Sequence, residues 1–355
     1  MIRVLLVDDS AVARRQFAQI LTATADIAVV GEAGDAFAAR DLIVELKPDV
    51  MLLDVEMPKM DGITFLRRLM HYYPMPVVVC SSLTTRGGEV AFEAYQAGAA
   101  EVIGKPDAGY TRAQLEFDLV DAVRSAAAVR HAPTALVAKQ VALRGRNDIG
   151  LVAIGASTGG TVAIESIFRA LPAEMPATLI VQHMPPYITT PFAARLSQIA
   201  RMEVVEAVDG LVLRDGQAVL APGGKQTVLI RSGSELRLRV KEGPRVNGHR
   251  PSVDVVFHSV VAAMGQDSVG VLLTGMGRDG AEGLAAIRAA GGHTIAQDEA
   301  SSVVFGMPRA AIELGAAVEV ASLTDVPQRI VSALQRMGSE RHSGRMRRAT
   351  EAKAR

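Results

Sequence analysis

Leu151-Val152-Ala153-Ile154-Gly155-Ala156-Ser157-Thr158-Gly159-Gly160-Thr161 runs from an apolar stretch into a glycine-flanked turn, and the amphipathic segment Val162–Leu171 follows directly. That succession reads as strand, tight turn and helix. Two chemistries use such a turn. A dinucleotide site calls for glycine where Ser157 stands and for an acidic residue ending the next strand, but the next apolar run, Thr178–Val181, ends in Gln182-His183. A serine in a glycine-flanked turn at a helix N-terminus is instead exposed for nucleophilic attack. Backbone N–H groups from Thr158 onward are then available to an oxyanion.

A serine hydroxyl is a weak nucleophile until an imidazole takes its proton. His183 ends the neighbouring run and shares a sheet edge with Ser157, whereas His258 falls inside the helical run Asp254–Met264 and His293 begins a strand at the opposite edge. His249, in Asn247-Gly248-His249-Arg250-Pro251, reads as a solvated loop residue, with substrate contact as the alternative. A carboxylate must orient the imidazole. Asp279, in Thr274-Gly275-Met276-Gly277-Arg278-Asp279-Gly280 after the run Val269–Leu273, and Asp298, after Thr294–Ala296, both suit that role, and spacing does not choose between them.

These runs make residues 149–337 a doubly wound, mostly parallel α/β domain. Within Glu203–Val240, Asp209-Gly210, Asp215-Gly216 and Ser232-Gly233 punctuate short strands such as Thr227–Ile230 and Leu236–Val240, which predicts a β-hairpin insert. The tail 338–355 is polar and basic, and its composition predicts disorder. Upstream, His131–Asn147 carries small and basic residues, Pro133 and Gly145 without a sustained apolar face, so a linker is expected over 126–148.

Before the linker, the runs Val4–Val7, Ala28–Val30, Val50–Leu53, Val77–Cys80 and Glu101–Ile103 alternate with amphipathic stretches. They predict a doubly wound (βα)5 domain over residues 1–125. Asp8 and Asp9 close the first strand and Asp54 the third, so the three carboxylates meet at the C-terminal sheet edge, where ligands bind. Carboxylates clustered in this way repel unless a hard cation joins them, and a site with open positions for phosphate oxygens suits Mg²⁺. Asp54 is the candidate nucleophile toward a phosphoryl group. Ser81 and Lys105 end the fourth and fifth strands, where a hydroxyl and an ammonium can pair with phosphate oxygens.

Composition bounds the rest. The chain has 355 residues, enough for two cores, and its 38 Lys plus Arg balance 38 Asp plus Glu, so no general field draws it to nucleic acid or an anionic membrane. Its one cysteine, Cys80, lies in an apolar run and reads as a buried hydrophobe, with no disulfide available. The apolar start Met1–Val7 is too short for a signal peptide or a membrane span, which predicts a cytoplasmic protein.

Two resemblances sharpen these expectations. Val7-Asp8-Asp9-Ser10, Leu53-Asp54-Val55-Glu56-Met57-Pro58-Lys59-Met60-Asp61-Gly62 and Lys105-Pro106 resemble a response-regulator receiver domain. The resemblance implies phosphorylation of Asp54 by a histidine kinase, with Ser81 moving toward the phosphate. Val102 stands where many receivers have an aromatic switch residue. The segments Gly155–Gly160, Gln182-His183-Met184-Pro185-Pro186 and Leu273–Gly280 resemble the chemotaxis protein-glutamate methylesterases. Arg250-Pro251-Ser252-Val253-Asp254 and Phe305-Gly306-Met307-Pro308 extend that match.

The second resemblance implies a triad of Ser157, His183 and Asp279, and it selects Asp279 over Asp298. The order Ser, His, Asp also differs from that of α/β-hydrolases. Further implied are oxyanion contacts from the backbone at Thr158 and Met276, hydrolysis of glutamate methyl esters on chemoreceptor cytoplasmic domains with release of methanol, and deamidation of receptor glutamines. Phosphorylation by a chemotaxis histidine kinase would raise the activity. Mg²⁺ belongs to the receiver, and ester hydrolysis is expected to need no cofactor. A DNA-binding output finds no recognition-helix pattern. A nonenzymatic receptor-binding regulator is the alternative that the intact Ser157, His183 and Asp279 oppose.

Overall fold

A computed structural model of the chain describes residues 1–81, 85–105, 111–129, 138–143 and 150–353, with backbone alone for 85–87 and 340–353. Most of the expected linker, and Pro106, therefore lie outside the described residues. The chain forms two compact units, one built on residues 1–132 and the other on most of the remainder.

The first unit alternates β1 (Ile2–Val7), α1 (Ala11–Thr22), β2 (Ile27–Ala33), α2 (Ala36–Leu46), β3 (Val50–Asp54), α3 (Gly62–Tyr72), β4 (Val77–Ser81), α4 (Thr85–Gln96), β5 (Glu101–Gly104) and α5 (Arg112–Ala127). Its strands lie in the order β2-β1-β3-β4-β5, all parallel. Every residue of β3 and β4 is buried, as expected of strands covered on both faces. Helices begin where a side-chain oxygen takes an orphan backbone N–H: Ser10 for α1, Asp35 for α2, Asp61 for α3, and a Thr111–Gln114 capping box for α5. Leu6, Phe17, Leu52, Val78 and Leu119 share one core, and Cys80 is free and buried.

The second unit contains β6 (Leu151–Ala156), α6 (Gly160–Ala170), β7 (Thr178–Gln182), α7 (Thr189–Ile199), β8 (Glu203–Glu206), β9 (Gln217–Leu220), β10 (Gln226–Ser232) and β11 (Glu235–Lys241). It continues with α8 (Val253–Met264), β12 (Ser268–Leu272), α9 (Ala281–Ala289), β13 (His293–Gln297), α10 (Met307–Glu313), β14 (Glu319–Ala321) and α11 (Val326–Lys353). Seven strands make one parallel sheet in the order β14-β13-β12-β6-β7-β9-β8. The chain leaves β6 toward β7 on one side and returns to β12 on the other. The crevice beyond the ends of β6 and β12 is therefore the switch point at which such sheets bind ligands.

One expectation changes. The segment Glu203–Val240 is not all insert, because β8 and β9 are parallel members of the main sheet and only β10 and β11 pair as an antiparallel hairpin. The Asp209-Gly210 and Asp215-Gly216 turns bend a crossover that runs along β11, with Leu238 N donating to Leu211 O and Leu213 N to Leu236 O. The hairpin itself packs on α8, where Leu229 N donates to Ser259 Oγ at 2.9 Å. The helix α11 extends from Val326 into the polar tail as far as Lys353. Ala, Arg, Glu, Lys and Met in that segment all favour a helix even without a buried face.

Candidate active site

Ser157 follows β6, His183 follows β7 and Asp279 follows β12 within a loop, so residues far apart in sequence emerge at one edge of the sheet. The serine turn is fixed on several sides. Ser157 N donates to Thr274 O at 3.0 Å, and Gly160 N donates to Ser157 O at 2.6 Å as α6 begins. Gly159 caps α6 with φ 77, a left-handed conformation that side chains disfavour. A Cβ on Gly275 would lie 2.7 Å from Ser157 Cβ and 2.4 Å from Met307 Sδ, so only glycine lets the turn carrying Met276 approach the serine turn this closely. Beneath both, Gln182 Nε2 donates to Ser157 O at 2.9 Å and to His183 O at 3.1 Å, tying the two backbone positions together.

His183 and Asp279 are joined directly, with Nε2 2.9 Å from Oδ2. Asp279 is 1 % exposed. Oδ2 also accepts Val253 N at 2.7 Å, while Oδ1 accepts Ser252 Oγ at 2.8 Å, Asn247 Nδ2 at 2.9 Å and Asp254 N at 3.3 Å. Burial opposes ionisation, but the bonds from His183, Asn247 and Val253 outweigh it and hold the carboxyl far below its ordinary range. An ionised carboxylate only accepts, so the proton of the pair sits on Nε2 and the Nδ1 lone pair is left open. Nδ1 is buried and has no hydrogen-bond partner. The Ser157 hydroxyl is not hydrogen-bonded to it.

His249 corrects the expectation of a solvated loop residue. Its ring stacks on His183, and burial first, then the positive charge His183 can carry, lowers its pKa to about 3. Asp298 is engaged elsewhere, its Oδ1 accepting Ser301 N at 2.9 Å and Ser301 Oγ at 2.6 Å. Asn247, Ser252 and Asp254 escaped the sequence reading as site residues. Their signal was the cap pattern Ser252-Val253-Asp254, because Ser252 caps α8 and Asp279 sits against that helix's first N–H groups.

In the first unit, ligand atoms of Asp8, Asp9 and Asp54 lie within 4.8 Å of one another. Asp8 Oδ2 and Asp54 Oδ2 are buried without a hydrogen-bond partner, which fits an acidic pocket built for a divalent cation. Lys105 Nζ is 2.6 Å from Asp54 Oδ1 and 3.6 Å from Asp8 Oδ2. Burial raises the pKa of Asp54, which the Lys105 contact opposes and the Asp8 charge reinforces. Ser81 ends β4, buried, and its carbonyl accepts Lys105 N at 2.8 Å. Among the described residues no helix is long and apolar enough to cross a membrane.

A five-stranded sheet with this carboxylate cluster, followed by a parallel α/β domain with a histidine–aspartate pair beside a serine turn, is the architecture of a response regulator with a hydrolase output. Residues 4–114 match the response regulator receiver domain and residues 152–330 the CheB methylesterase. The chain belongs to the CheB methylesterase family. A protein-glutamate methylesterase/protein-glutamine glutaminase of Anaeromyxobacter dehalogenans is 53% identical over 320 residues, covering 89% of this chain and 90% of the relative. One from Salmonella choleraesuis is 48% identical over 336 residues, covering 93% and 96%. The crystal structure of the Thermotoga maritima CheB methylesterase catalytic domain superposes with a TM-score of 0.51 at 34% identity, over 52% of this chain and 98% of that one.

Proposed function

We propose that this protein is a receiver-controlled protein-glutamate methylesterase and protein-glutamine glutaminase in which Ser157, His183 and Asp279 do the chemistry. The observation that carries the reading is the His183–Asp279 bond, which fixes the Nε2–H tautomer and leaves Nδ1 open at the edge where Ser157 emerges. Ser157 Oγ attacks the γ-carbonyl of a glutamate methyl ester as His183 Nδ1 takes its proton, and Asp279 balances the imidazolium charge. Backbone N–H groups at Thr158 and Met276 face the oxyanion. Collapse breaks the C–O bond to methoxide, which receives the proton from His183 and leaves as methanol. Water then repeats the sequence on the acyl-serine, giving a free glutamate carboxylate and the Ser157 hydroxyl. With a glutamine substrate, ammonia leaves in place of methanol.

The substrates in this reading are methylated cytoplasmic helices of chemoreceptors, and the phosphodonor is a chemotaxis histidine kinase. Asp8, Asp9 and Asp54 would hold Mg²⁺, which supplies charge neutralisation for phosphoryl transfer. Asp54 accepts the phosphoryl group, and Lys105 and Ser81 pair with its oxygens. Methanol release from methylated receptor membranes tests the reading. Ser157→Ala should keep the fold and lose on the order of 10⁴- to 10⁶-fold in turnover. Near-parental methanol release from the folded variant would remove Ser157 from the mechanism.

A further inference from the structure

Asn247 and Gly248 occupy the corner of a tight turn, with φ 51 and 85. Val246 N donates to His249 O at 3.0 Å and His249 N to Val246 O at 2.9 Å, closing the turn from both sides. Positive φ at both corner residues is the geometry that Asn-Gly favours. Turn formation alone accounts for an asparagine here, but not for where its side chain goes. Nδ2 lies 2.7 Å from Asp254 Oδ2 and 2.9 Å from Asp279 Oδ1, so one amide nitrogen spans two carboxylates. Both aspartates are buried, at 5% and 1% exposure.

We infer that Asn247 is a positioning residue for the ester hydrolysis proposed above, its amide clamping Asp279 against Asp254 and thereby fixing the His183 ring. An amide nitrogen carries two protons, one for each carboxylate, and no charge. A single-proton donor would serve only one of them. A cation would compete with His183 for the charge of Asp279. The remaining contacts of Asp254 fit a fixed anchor, because its Oδ1 accepts Gly283 N at 2.7 Å from the start of α9. The clamp thus ties three elements, the Asn247 turn, α8 and the loop before α9, to the carboxylate that holds His183. The same turn delivers His249 to the His183 ring, so its rigidity fixes both neighbours of the imidazole.

The inference rests on the esterase reading, and its test separates the two. Asn247→Gly keeps the left-handed turn while removing the amide. Asn247→Asp keeps the shape and the turn preference but lacks the two-proton nitrogen. Both should fold, with thermal midpoints lowered because two buried carboxylates lose their shared donor, and more so in Asn247→Asp, whose added carboxylate repels them. Both should lose on the order of 10- to 100-fold in kcat, with KM within about twofold. The second readout needs no substrate. The proton on His183 Nε2, held to Asp279, should give a low-field NMR resonance in the full-length parent that His183→Gln removes, and that broadens or shifts in both Asn247 variants. A kcat within about twofold of the parent, a loss confined to KM, or a resonance as sharp and unmoved as the parent's overturns the inference. If the parent hydrolyses no ester, the functional reading falls, while the resonance still decides whether Asn247 positions His183.

Discussion

His249 lies face to face on His183, with ring centroids 3.7 Å and planes 11° apart. Burial disfavours charge on His249, and two imidazolium rings in that contact would also repel. Its lowered pKa follows from both. His249 is therefore neutral beside His183, and in the proposed mechanism its ring face would support the transient His183 imidazolium. His249→Phe should keep the stacking and much of the activity, whereas His249→Ala should lower kcat, as measured by methanol release.

The stack also sets a pH dependence of stability. His249 titrates near 6.5 in the unfolded chain and about 3 in the folded one. Between those values the unfolded chain binds a proton that the folded chain refuses, so stability rises with pH across the window and is lost as pH falls through it. Arg245 adds to the refusal and Asp279 opposes it. The thermal midpoint of the parent should drop between about pH 7 and about pH 5, and His249→Gln should flatten that slope. The contribution of Asp279, whose folded pKa is depressed, is lost only as pH falls through the carboxylate range near 3.8 and is common to both proteins.

Asp279→Asn and Asp298→Asn should differ sharply. The first replaces the acceptor that fixes the His183 tautomer and should cost on the order of 10⁴-fold in turnover. The second weakens the Ser301 contacts, costing about 1 kcal/mol of stability with turnover near the parent's. If Asp298 were the more sensitive position, the assignment of the orienting acid would be wrong.

Gly275→Ala tests the close approach of the two loops. The added methyl group must displace Ser157 or Met307, which predicts a loss of about 1–3 kcal/mol in stability from overpacking. It also predicts a fall in kcat on the order of 10- to 100-fold as the serine turn shifts. Parental labelling of Ser157 by a serine-directed phosphonate in Gly275→Ala would contradict the contact.

For the receiver, Asp54→Asn should abolish any response of esterase activity to a small-molecule phosphodonor. The parent should respond by roughly 5- to 150-fold, the range of a coupling of about 1–3 kcal/mol. Chelation of divalent cations should block this response yet leave basal methanol release unchanged. Loss of basal hydrolysis on chelation would put a metal into the ester chemistry.

Much of this protein is legible one segment at a time. Short apolar runs alternating with amphipathic stretches specify parallel α/β units, and strand ends such as Val7-Asp8, Leu53-Asp54 and Gln182-His183 mark the edge where chemistry collects, because polar groups stand there at the end of an apolar run, at the C-terminal edge of a parallel sheet. Those signals are local, and local spacing suffices to read them. Residues 203–220 resisted the same reading, since a four-residue strand among turn signals looks alike whether it joins a hairpin or the edge of a parallel sheet. Only the pairing of β8 with β9 decides it.

Spacing does not choose Asp279 over Asp298, a choice that the family resemblance made; the distances between loops in the tertiary structure are what bring Asp279 to His183. The neighbours of the imidazole belong to the same class. His249 and Asn247 sit in a polar, glycine-containing loop whose composition reads as solvated. They become part of the site because α8, capped by Ser252, presents its first backbone N–H groups to Asp279 and carries that loop in with it. Local patterns set the elements, the sheet edges and the residue types that can react. The tertiary structure decided which of those residues meet, because a hydrogen bond forms only within about 3 Å and no local pattern sets that separation across the domain.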